Sequence, residues 1–140
     1  MHYPTSTWLL CAAGDRCYPF ENVPAAYDLA DVRGRAERGR AGNDIGVKWN
    51  RIRTISCVTD SLDMTIREAK AFMYDGLLDL GDDHYCHTLT ELPPPADVYG
   101  IELRRLGWYV KFSIIPDTLN VISFHRPERL LQTRGMGLIR

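Results

Sequence analysis

Tyr109, Lys111 and His125 are the residues whose types and spacing first suggest chemistry. They fall in GWYVKFSIIPDTLNVISFHR, residues 107–126, which reads as two strands and a turn. Trp108, Val110, Phe112 and Ile114 alternate with Tyr109, Lys111, Ser113 and Ile115, the period of two that gives a strand distinct faces. In the second run Asn120, Ile122, Phe124 and Arg126 alternate with Val121, Ser123 and His125. Ile115-Pro116-Asp117-Thr118 suits a type I turn, because proline pre-sets φ at the second position and aspartate fits the third. Pairing Ile115 with Leu119 sets Phe112 opposite Ile122, Val110 opposite Phe124, Tyr109 opposite His125 and Lys111 opposite Ser123. One face is then apolar, and the other carries a phenol, an ammonium and an imidazole. Such a set can move protons and stabilise an anion. The wetted face of an ordinary half-buried sheet can carry the same residues, so the hairpin alone leaves both readings open.

Other reactive side chains are scattered. His84, Cys86 and His87 crowd together, but near-adjacent ligands converge poorly on one tetrahedral ion, and no second half of a zinc pattern follows. No phosphate-binding glycine fingerprint is present. Neither a metal nor a cofactor is therefore expected. Cys11, Cys17, Cys57 and Cys86 form no CxxC pair, and in a chain with a full core all four are expected as free thiols.

The elements that must position the hairpin are read from the rest of the chain. The 140 residues fit a single domain over 1–140, with 45% hydrophobic and 25% charged residues, ordinary globular proportions. No apolar run approaches the roughly 20 residues that span a bilayer, and no leader pattern is visible, so a cytoplasmic protein with no membrane partner is expected. Residues 1–44 read as an N-terminal extension. It contains a helix starting near Asn22 or Val23 and a Gly/Arg-rich stretch, 33–44, for which glycine's backbone entropy favours a loop. The core is expected over 45–126. Ile45 to Val58 suggests a strand, or a strand and a turn. A helix over 62–75, capped by Asp60 or Ser61 and ended by Gly76, presents Leu62, Ile66, Ala69, Phe72 and Met73 on one face. Val110, Phe112, Ile122 and Phe124 should lie buried beneath it. Pro93, Pro94 and Pro95 form a stiff spacer, and Asp97 to Leu106 supplies a further strand. The order predicts an α+β domain: a small, largely antiparallel sheet with helices packed on one face.

Charge is segregated although the net value is −1. Basic residues dominate 33–53 and 103–140, while 60–102 is acidic, set against Arg67 and Lys70 alone. This pattern fits a nucleic-acid surface opposite an acidic one, and equally fits solvated helix faces.

Over about residues 52–126 the chain resembles the MqsR-type toxins of toxin–antitoxin systems, messenger-RNA interferases with a RelE-like fold. The likeness rests on Asp97-Val98-Tyr99, Trp108-Tyr109-Val110-Lys111 and Ile122-Ser123-Phe124-His125, with Leu80, Tyr85, His87 and Thr88 in equivalent order upstream. The resemblance puts the family's catalytic tyrosine on Tyr109 and its two functional lysines on His87 and His125; the family's glutamine falls on Ala96. It implies a RelE-like fold, RNA (messenger RNA above all) as substrate, and a cognate antitoxin or inhibitor protein as partner. Metal-free cleavage of RNA requires deprotonating a 2′-hydroxyl, stabilising a phosphorane and protonating the leaving oxygen. Histidine, with an unperturbed pKa near 6.5, suits both proton transfers. His87 and His125 become the acid–base pair with the order unassigned, Tyr109 a positioning or donating group, and Lys111 and Arg126 phosphate contacts. The rival is a non-catalytic interaction protein on a similar scaffold, a phage inhibitor or antitoxin-like binder, which the near-zero charge favours because RNA binders usually show a basic excess; a third reading is a module that binds RNA through the basic patches without cutting.

Overall fold

Trp108, Val110, Phe112 and Phe124 have no exposed surface, and the elements around them are arranged to keep it so. The computed structural model describes residues 24–91 and 93–140; the expected N-terminal clusters, with Cys11 and Cys17, lie outside the described residues. In chain order the elements are α1 (Leu29–Ala41), β1 (Val47–Trp49), α2 (Arg51–Leu62), α3 (Ile66–Asp79), a 3₁₀ turn (Asp82–His84) and β2 (Tyr85–Leu89). Then follow β3 (Ala96–Leu103), β4 (Leu106–Ile114), β5 (Leu119–His125), β6 (Leu131–Gln132) and β7 (Leu138–Ile139). Five strands form one sheet in the order β1-β5-β4-β3-β2, with β1 parallel to β5 and the other pairs antiparallel. The α+β class expected from the sequence is the class observed. The helices cover one face, and β6 and β7 form a small separate ribbon. Among the described residues no helix is long and apolar enough to cross a membrane.

The hairpin holds the expected register at Tyr109↔His125, Val110↔Phe124 and Lys111↔Ser123. Beyond that point Phe112 pairs with Val121, not Ile122, and Ile114 pairs with Leu119. Ile122 is the extra residue of a β-bulge. Its presence lets Leu119, Val121 and Phe124 all bury, although strict alternation would expose one set or the other. Ile122 itself is half-buried, against the expectation that it would join the core.

Three helical expectations are corrected by packing. The stretch expected as a basic loop is helical as far as Ala41. Gly39 is kept there because a Cβ would come within 2.4 Å of Val47 and 2.8 Å of the Tyr74 hydroxyl. The strand expected through Val58 stops at Trp49, and α2 takes over until Asp63 ends it in the left-handed region, φ 52°. The following helix starts at Ile66 and not at 62, because Thr65 and Glu68 form a reciprocal capping box that satisfies two orphan N–H groups. Ala69, Phe72 and Met73 bury as expected, whereas Ile66 is 62% exposed. Gly76 lies inside α3, not at its end; a Cβ there would meet Leu103 at 2.8 Å and Phe124 at 3.0 Å. Phe72 meets Trp108 and Phe124 edge-on, at centroid distances of 5.2 and 6.0 Å.

Two polar anchors tie the helices down. The buried Asp97 carboxylate accepts from the Ala26 and Tyr27 N–H groups, both at 2.9 Å, and from the Thr88 hydroxyl at 2.5 Å. Asp44, after α1, accepts from Lys70 Nζ at 2.7 Å and the Tyr74 hydroxyl at 2.5 Å. Burial pushes the Asp44 carboxyl up, but the hydrogen bonds from Lys70 and Tyr74, with the Lys70 charge, outweigh it and hold the group below its ordinary 3.8.

Truncating Phe124 to alanine should cost roughly 3–5 kcal/mol of stability, measured by urea unfolding. A cost below about 1 kcal/mol would contradict the packing described. Asp44 gives an acid-limb prediction. Its folded pKa is depressed, so its contribution is present above pH 3.8 and is lost as pH falls through the lower folded value. Asp44→Asn should be less stable than wild type at neutral pH, and the gap should close below that window. A gap independent of pH would show that the ionised carboxylate is not what stabilises.

Candidate functional site

The sheet face turned away from the helices carries the candidate chemistry, and its layout follows from register. His125, Tyr109 and Gly100 form one row across β5, β4 and β3; Ser123, Lys111, Val98 and His87 form the next, reaching β2. Asn120 and Ser113 continue the face toward Lys48 on β1. The C-terminal ribbon covers part of this face. Leu131 lies over Gly100, where a Cβ would sit 3.1 Å from its side chain, and Ile139 and Arg140 lie over Gly107. Gly100 and Gly107 are thus the places where the tail can approach the sheet.

Tyr109 and His125 are stacked, with ring centroids 4.9 Å apart and planes 13° from parallel. Both are half-buried. His125 Nδ1 is 2.7 Å from the Arg126 carbonyl oxygen. A carbonyl only accepts, so Nδ1 carries the proton and Nε2 is the atom left for proton exchange. Burial pushes the Tyr109 phenol above its ordinary range, with Cys86 and Glu128 adding to the shift. The phenol is therefore protonated at neutral pH and acts as a donor. Lys111 stands one row away, opposite Ser123.

Of the other two expected residues, His87 is placed apart and Arg126 is engaged by the fold. His87 is exposed on β2, three strand spacings from β5, or about 14 Å at about 4.8 Å per strand. The sheet brings Tyr109, Lys111 and His125 together and leaves His87 outside that group. Arg126, on which phosphate binding was expected, donates from Nε to the Gly107 carbonyl at 2.8 Å and from Nη2 to that of Arg140 at 3.3 Å. It clamps the chain's end onto β4. The His84, Cys86, His87 cluster does not converge: His84 Nδ1 accepts from the Gly81 N–H at 2.9 Å, and the Cys86 sulfur lies over Gly100. Among the described residues no three of His, Cys, Asp and Glu are grouped to hold a metal.

A groove of about 610 Å³ opens between α2 and β5. From α2 and its start come Asn50, Thr54, Cys57, Asp60 and Ser61; from β5 and beyond come Ser123, His125, Arg126 and Glu128. His125 belongs to both the stack and the groove. The α2 residues were missed in the sequence because Ile45–Val58 was read as extended. Their signal was present: Asn50, Thr54, Cys57 and Ser61 step by four, three and four, a polar stripe on one helix face.

No protein-family model and no curated protein matches the chain.

Cys57, half-buried and lining the groove, and Cys86, buried with its thiol pushed up to about 12 by desolvation, are both free. A maleimide at neutral pH should modify Cys57 and spare Cys86 until the protein unfolds, as read by peptide mass mapping. The melting temperature should not change with reductant. Faster labelling of Cys86, or a fall in melting temperature on reduction, would contradict this arrangement.

Proposed function

We propose that the protein is an endoribonuclease of RelE-like build, resembling the MqsR-type interferases, that cuts RNA by 2′-hydroxyl attack without a metal. The observation that carries the reading is the stacked Tyr109–His125 pair beside Lys111 on an open sheet face. His125 Nε2 takes the proton from the 2′-hydroxyl as its oxygen bonds to phosphorus. The bond from phosphorus to the 5′-oxygen breaks, leaving a 2′,3′-cyclic phosphate and a 5′-hydroxyl. Tyr109, kept protonated by burial, donates to the leaving oxygen and recovers its proton from solvent. The Lys111 ammonium faces the charge that builds on the phosphorane. His87 is too far to share that phosphorus, since acid and base must each lie roughly 2.6–3.2 Å from an oxygen on it. Its place suits a neighbouring nucleotide of the same strand. A cognate antitoxin or inhibitor protein is the expected partner.

A second reading, a protein-binding module without catalysis, is favoured by one observation. Arg35, Arg40 and Lys70 are each paired with a carboxylate of the protein itself, which weakens the field available to RNA.

Purified protein on a mixed RNA substrate should cleave in excess EDTA and leave cyclic phosphate ends. His125→Ala should reduce the rate roughly 10²–10⁴-fold with folding intact, and His87→Ala should act chiefly on substrate binding. The rate should fall well above neutrality as Tyr109, whose phenol burial holds above its ordinary range, ionises. Absence of cleavage, or equal cleavage by wild type and His125→Ala, would leave the binding module as the better account.

A further inference from the structure

We propose that the groove between α2 and β5 is a pocket for one unpaired RNA base, stacked on His125 and read by the polar stripe of α2. The proposal takes its ligand class from the ribonuclease reading, but its geometry stands apart from the proton chemistry.

The His125 ring has two faces. One lies against Tyr109, which is on β4. Helix α2 runs beside the far end of β5, where Thr54 Oγ1 lies 3.3 Å from the Ile122 carbonyl, and His125 lines the groove between them; the proposed base takes the second face of its ring. A planar ring placed against that face extends the stack to three: phenol, imidazole, base. Single-stranded RNA is bound in this way, with an unstacked base on an aromatic side chain and its edge hydrogen-bonded. The far wall supplies the hydrogen bonds. Asn50 and Ser61 bring an amide and a hydroxyl, each able to donate and accept, and Asp60 adds a carboxylate that only accepts; the Thr54 hydroxyl donates its one proton to the Asn50 carbonyl at 2.8 Å. About 610 Å³ is ample for a nucleotide.

A protein strand added along β5 is the competing occupant. Strand β1 pairs only as far as Val121, and among the described residues no strand neighbours β5 beyond it on that side. Against this, Thr54 Oγ1 stands 3.3 Å from the Ile122 carbonyl, on the edge an added strand would pair with, and the α2 wall of Asn50, Thr54, Asp60 and Ser61 is polar where an added strand needs apolar pockets, although Ile122 and Phe124 also line the groove. The groove fits a flat polar ring better than a peptide.

Asp60 also sets the preference. A carboxylate attracts an exocyclic amino group and repels a carbonyl at the same position. Cytosine carries the amino group where uracil carries the carbonyl, so a cytosine should be held more tightly than a uracil.

The test uses the full chain and fluorescent 2′-O-methyl oligomers, in which the blocked 2′-oxygen prevents cutting. One oligomer is all uridine, and the other has a single central cytidine. Wild type should bind the cytidine oligomer roughly 10-fold more tightly, and Asp60→Asn should bring the two affinities together. His125→Ala should weaken the cytidine oligomer, and His125→Phe, which restores a ring for stacking without a titrating nitrogen, should recover its binding but not the cleavage of ordinary RNA. Equal affinities for the two oligomers in wild type, or an unchanged ratio in Asp60→Asn, would overturn the proposal. No binding at all would overturn it too, as would failure of His125→Phe to recover binding. Selective binding without cleavage of ordinary RNA would retire the ribonuclease and keep the pocket. Cleavage with indifferent binding would do the reverse.

Discussion

A carboxylate without exposed surface holds two ends of this molecule together. Asp97 sits on the core face of β3, and burying an ionised carboxylate costs several kcal/mol unless its lone pairs are met. Three donors meet them, and each comes from a different requirement of the fold. The N–H groups of Ala26 and Tyr27 fix where the chain turns into α1, while the Thr88 hydroxyl fixes β2 against β3. Thr88 is in turn bonded to the Tyr85 hydroxyl at 2.7 Å, and the Tyr27 hydroxyl donates to the Pro95 carbonyl at 2.6 Å. The first helix and the far edge of the sheet are therefore set by one side chain. The open face inherits its rows from that setting.

What could be read from the sequence was local. The alternation in 107–126 is a property of neighbouring residues, and it gave the pairing of Tyr109 with His125 correctly. The apolar period in α3 was legible for the same reason. The bulge was not, because one additional residue leaves no compositional trace. Helix α2 was misread because Ile52, Ile55 and Val58 are β-branched and suit a strand by propensity, while their spacing of three also suits a helix. Gly39 and Gly76 looked like breakers, yet each is required by a side chain far away in sequence. The capping box Thr65–Glu68 was present in the letters and was passed over. For the site, the stack was legible and the groove was not, since it needs α2 to be a helix lying beside β5.

Part of the segregated charge is paired within the protein. Arg40 pairs with Asp75 at 2.9 Å and Lys70 with Asp44 at 2.7 Å, each joining the basic stretch to the acidic one across α1 and α3. Arg35 bonds Asp31 at 3.0 Å and also reaches the Asp117 carbonyl. Exposed pairs of this kind contribute little stability each. Their larger effect is to offset part of the long-range field that the sequence alone suggests.

The bulge at Ile122 has a further meaning, which is one of parity. From Val121 to Phe124 the strand takes three steps to return to the same face, where every other return takes two. Whether a side chain of β5 faces the core or the open sheet thus depends on an odd count at a single place. Loss of one residue there would exchange the roles of Phe124 and His125 without altering either. Core and site are the two readings of one strand, and the extra residue decides which is which.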